Sequence, residues 1–123
     1  MRDDPTPDPQ PDPERLAAHA DAIRAAAAEL LTRVTEWRNS PHWQDTPTNH
    51  HRYHTTVGAC TQLDSLPDPT TPEHLADMAA TVRPACGVWR PTRPGPQQAI
   101  HAAAERLSAT VVRSSMSDRP RMP

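Results

Sequence analysis

The sequence predicts an all-α protein, an up-down antiparallel four-helix bundle between two short tails. Three observations carry that prediction. Apolar residues recur at Leu16, Ala20, Ile23, Ala27, Leu30, Val34 and Trp37, in steps of four and three, the spacing of one buried helix face. Two segments open with the same start signal, "DPE" at 12–14 and "TPE" at 71–73: a capping side chain, proline in the first helical position, then an acid in the first turn. The breaks between the periodic segments are short and rich in proline, which favours antiparallel neighbours.

The first helix is expected over 13–38, capped by Asp12 and ended by "NSPHW". Small Ala20 and Ala27 on its seam let a neighbour approach closely. Glu29 and Arg33 are spaced for an i,i+4 pair on its outside. The second helix starts at Thr46-Pro47 and runs to Leu66, with Tyr53, Val57, Cys60 and Leu63 on one face. The third follows the turn "PDPT", with Leu75, Met78, Val82, Ala85 or Cys86, and Trp89 as its seam. Pro84 and Gly87 fall opposite that seam, so a bend there would spare the buried face. The fourth begins at Pro96 and buries Ile100, Ala104, Leu107 and Val111. The likeness of 12–24 to 71–83 is no longer than shared capping chemistry requires, so it is not read as an internal repeat.

At 123 residues the chain holds one domain, with 12–116 as the bundle and 1–11 and 117–123 as disordered tails. The first eleven residues set prolines among aspartate, threonine and glutamine and offer nothing to bury. All 13 basic side chains are arginine, phenylalanine is absent and proline reaches 16, a bias in keeping with GC-rich, bacterial-like coding. That bias weakens any step from "all arginine" to nucleic-acid binding. Neither a secretory leader nor a run of ~20 apolar residues is visible, so a cytoplasmic protein off the membrane is expected. The charge is uneven: acids dominate to Val82 and arginines beyond it.

The motif search excludes more than it finds. Two cysteines are too few for a disulfide scaffold, and an antiparallel register keeps Cys60 and Cys86 apart as free thiols. Cys86 lies near Arg83 and Arg90, yet its helical position reads as a small core residue. There is no nucleophile elbow and no glycine-rich phosphate loop, with only three glycines to build one. No enzyme and no cofactor is expected.

"NHHRYH" sets His50 and His54 one helical turn apart, a spacing that can chelate a divalent ion, with His42 or Asp45 as a third ligand. The pair lacks an H-E-x-x-H or C-x-x-C companion, and it sits at the rim of the helix near its positive end. It is read as a solvated rim, with metal binding as the alternative. His19 is expected at the core edge, and His74 and His101 among polar neighbours.

What remains is contact with other proteins, as an adaptor or regulator. Trp37 and Val34 end the longest seam, beyond the reach of the shorter helices. Either the loop bearing Trp43 folds over them or a second chain covers them as a homodimer. Trp89 with Arg83, Arg90 and Arg93 is the other candidate partner-binding group. The same arginine-rich third is where a nucleic-acid-associated role would lie.

Overall fold

The computed structural model describes residues 13–89 and 97–117, with side chains as far as Ser114. The two tails, Arg90, Arg93 and the expected start of the last helix at Pro96 lie outside the described residues. Four helices follow one another: α1 (Pro13–Arg38), α2 (Pro47–Ser65), α3 (Pro72–Gly87) and α4 (Gln98–Ser117). They form the expected up-down bundle. α1 packs against α4 and α2, α3 closes the square, and α1 also meets α3 across the diagonal. Small residues on both helices, Ala20 and Ala27 on α1 and Ala79 and Ala85 on α3, are buried in the core. None of the described helices is long and apolar enough to cross a membrane.

Capping chemistry sets the starts of α2 and α3. Thr46 accepts a hydrogen bond from the Asn49 N–H and Thr71 from the His74 N–H, each followed by proline in the first turn. His74 then accepts from the Thr70 N–H, so two side-chain bonds close the start of α3. Pro84 lies on the exposed side of α3, and the helix continues past it to Gly87.

The core follows the α1 seam as predicted: all seven positions are buried. Two local expectations are corrected. On α2 the buried line is Asn49, Thr56, Ala59, Cys60 and Leu63, whereas Tyr53 and Val57 are only half-buried. The helix is turned from the predicted face because Thr56, one turn before Cys60, holds the indole of Trp89. Glu29 does not pair with Arg33. Its carboxylate accepts a 2.7 Å bond from Arg106 of α4, and Arg33 bonds Glu36 instead. The Arg106 bond holds the Glu29 carboxyl below its ordinary value.

The end of α1 is covered from within the chain. Trp43, in the α1–α2 loop, lays its ring edge-on against Trp37, with ring centres 4.8 Å apart. Val34 and Trp37 are thereby buried without a second chain, Trp37 at 4 % exposure. For residues 30–37 this burial is worth ~1.5–3 kcal/mol for each large side chain.

Candidate functional site at the aromatic end

Every aromatic residue of this chain, three tryptophans and one tyrosine, lies at the end of the bundle where α1 stops and α2 starts. The rings form one connected group. Trp37 meets Trp43 and Trp89, and Trp43 in turn meets His50 and Tyr53. Tyr53 then touches His54, whose ring stacks on His50 with centres 5.9 Å apart.

Helix geometry accounts for the grouping. The seam of α1 ends in Trp37, the loop reverses the chain at Ser40, and α2 then presents His50, Tyr53 and His54 from successive turns. Ser40 closes that reversal by donating to the Trp37 carbonyl, and the buried Asn49 donates its side-chain amide to the Gln44 carbonyl. These two bonds fix the loop that carries Trp43.

The inner half of the group is structural. Trp89 is fully buried, and its indole N–H donates 3.0 Å to the Thr56 hydroxyl, which itself donates to the Arg52 carbonyl. Its own carbonyl accepts from His101 Nδ1 at 2.9 Å, which ties the end of α3 to α4. Arg52 lies over the Trp89 ring and donates to Gln97.

The outer half faces solvent. Trp43, Tyr53 and His50 are half-buried, and His51, His54 and Arg38 are exposed. The Arg38 guanidinium sits 4.6 Å from the centre of the Trp43 ring, a cation–π stack. The local acids are already engaged, Asp45 by His50 and Glu36 by Arg33. Arg38 and Arg52 meet no carboxylate among the described residues.

The residues singled out from sequence thus divide. Val34, Trp37 and Trp89 are core residues that a partner could not reach, and Trp37 holds up the half-exposed Trp43. Arg83 is exposed on α3. His50 and His54 are neighbours on the rim, but they stack ring on ring rather than turning toward one ion. Among the described residues no group of three His, Cys, Asp or Glu is arranged to hold a metal. Cys60 is a buried free thiol, which burial pushes up to about 11, and Cys86 is half-buried. Sequence reasoning missed Asn49, Thr56 and His101. The first two stand seven residues apart on the line that continues to Leu63, a signal that was legible; the bond of His101 to a backbone carbonyl leaves no trace in the pattern.

A shallow groove of about 570 Å³ lies between α1 and α4, lined by Ala25, Ala26, Glu29, Arg106, Ala109, Thr110 and Arg113. It is open and floored by alanine, with no side chain of catalytic kind apart from the Glu29–Arg106 pair. No protein-family model, no curated protein and no solved structure matches this chain.

Proposed function

We propose that this is a non-enzymatic binding module, an adaptor or regulator, whose protein partner docks on the aromatic end around Trp43, Tyr53 and Arg38. One observation carries the reading. Tryptophan, tyrosine and arginine are the residue types in which interface energy concentrates, and here they sit together, open to solvent, on a backbone held by part-buried hydrogen bonds. Elsewhere the described surface carries one large exposed apolar side chain, Val112. A rigid aromatic anchor beside a cation loses little side-chain entropy on binding.

A nucleic-acid role draws less support. In the arginine-rich third, Arg106 is engaged by the Glu29 carboxylate and Arg113 donates to the Thr110 hydroxyl, which leaves fewer guanidinium groups for phosphate contact among the described residues.

The test is site-directed photo-crosslinking in the cells that make the protein. A benzophenone amino acid replaces His54 in one sample and Ala76, exposed on α3, in another. The expected result is one protein cross-linked from position 54 and not from 76. Binding of that purified protein should weaken about ten-fold with Arg38→Glu. Equal products from both positions, or an unchanged affinity in Arg38→Glu, would refute the docking site.

A further inference from the structure

Among the described arginines, Arg38 alone is held against a ring while its N–H groups stay unused. Arg24, Arg33 and Arg106 each bond a carboxylate, Arg52 donates to Gln97 and Arg113 to Thr110. Arg15 and Arg83 are exposed and stack on no described ring. Arg38 has no hydrogen-bond partner among the described residues, yet its guanidinium lies over the Trp43 ring, 4.6 Å from the centre. It does not cap α1 either. The Thr35 carbonyl accepts from the Asn39 N–H, and the Trp37 carbonyl from the N–H and hydroxyl of Ser40.

A guanidinium is flat, and its five N–H groups point outward in its own plane. Contact with a ring uses the face and leaves those in-plane donors open. Two of them match the two oxygens of a carboxylate, and such a bidentate pair is stronger than a single contact. An ordinary surface ion pair gains little, because two long side chains must be immobilised and water screens them. Trp43 offsets both effects in advance. It restrains the guanidinium and shields one of its faces, and it is itself wedged among Trp37, His50 and Tyr53.

The surroundings favour a negative charge brought from outside. Glu36 and Asp45 are the acids nearest in sequence, and each would have to leave a bonded partner, Arg33 or His50, to reach Arg38. α2 begins at this end with no acid in its first turn, so the positive end of its dipole adds to the field. We infer that the docking partner is acidic: an aspartate or glutamate of that protein sets its carboxylate on the open N–H groups of Arg38, beside Trp43. The inference rests on the docking reading above and gives the partner its chemistry.

The test selects ligands by chemistry alone. Full-length protein is the bait for a phage-displayed library of random peptides of about twelve residues. The expected result is a set of sequences sharing aspartate or glutamate at one aligned position. With Arg38→Glu as bait, that position should turn to arginine or lysine. A selected peptide is then synthesised and its Kd measured by fluorescence anisotropy. Arg38→Gln in the protein and the matching amide in the peptide should each weaken binding about ten-fold, and together no more than either alone. The combined change guards against misfolding, since a collapsed site would lose the amide peptide as well. Arg38→Lys, which keeps the charge and loses the fork, should restore only part of the affinity. Selected peptides without an aligned acid, no enriched sequence, or an acid whose loss costs as much in Arg38→Gln as in the parent would overturn the inference. Random single-stranded DNA of about twelve nucleotides, bound with the same dependence on Arg38, would overturn it in favour of phosphate. The Trp43 indole N–H resonance separates the two readings. If acid-free peptides shift it, the docking end stands and the acidic partner is wrong. If no selected peptide shifts it and position 54 cross-links nothing, both fall.

Discussion

Replacing Thr56 with valine tests the account of the core at its most polar point. The substitution keeps the β-branched shape and removes one atom, Oγ1, the acceptor of the Trp89 indole N–H. Trp89 is wholly buried, so water cannot replace that acceptor. An unsatisfied buried donor costs ~1–3 kcal/mol. The Arg52 carbonyl, which loses the Thr56 hydroxyl, keeps its ordinary helical partner and adds little. The extra methyl returns at most ~0.8 kcal/mol of burial. The net loss should be ~1–2 kcal/mol, a fall in Tm of ~5–10 °C for a bundle of this size. Thermal melts followed by far-UV circular dichroism measure it directly. A double-mutant cycle then isolates the bond: with Trp89→Phe already in place, Thr56→Val should cost almost nothing. A valine penalty of the same size in the phenylalanine background would refute the assignment, and so would a Thr56→Val protein as stable as the parent.

Three further outcomes follow from other positions. Cys60 is held protonated by burial, its thiol raised from 9.0 to about 11, so between those values the unfolded chain gives up a proton that the native chain keeps. Stability should therefore fall as pH rises from about 9 to 11, and Cys60→Ala should abolish that part of the slope; at pH 8, mass-resolved alkylation should find Cys86 modified well before Cys60. His19 bonds Ser114 through Nδ1 and leaves Nε2 buried with no partner among the described residues, so His19→Leu should raise stability by ~1 kcal/mol in urea titrations, and a loss would contradict the orphaned atom. Gly58 lies inside α2, and a Cβ there meets nothing, so Gly58→Ala should stabilise by ~0.5–1 kcal/mol, seen as a higher urea midpoint with an unchanged slope.

The helices were legible from two kinds of signal, caps for α2 and α3 and apolar period for α1, α3 and α4. Thr46-Pro47 and Thr71-Pro72 start where those residues say, and the seven seam positions of α1 are all buried. What the pattern could not carry was rotation and partnership. A weakly amphipathic α2 can turn by one position with little change in apolar burial, and one indole seeking an acceptor at Thr56 settles the choice. Glu29 has Arg33 one turn away on its own helix, yet it takes Arg106 from α4, because sequence spacing ranks only local pairs. The aromatic end was half visible. Trp37, Trp89 and the histidines stood out singly, but their meeting depends on the α1–α2 loop reversing at Ser40 and on Asn49 reaching Gln44. Trp43 could be offered as a cover for Trp37, and the fold makes it one. That the covering residue also keeps one side open to solvent follows from its half-burial alone.

Gathering every tryptophan and the tyrosine at one end gives the molecule an optical polarity. Near-ultraviolet absorbance, intrinsic emission and near-ultraviolet dichroism all arise around Trp37, Trp43, Tyr53 and Trp89, while the opposite half, from Leu16 to the α2–α3 turn, is dark at those wavelengths. Energy passed among rings whose centres lie 4.8 to 5.6 Å apart makes them one emitting unit. An unfolding curve read by emission is thus the curve of that end, and one read by peptide dichroism is the curve of all four helices. Coincident midpoints would mark the bundle as a single cooperative unit. A peptide signal that falls first would mean that the dark half opens while the lit one still holds.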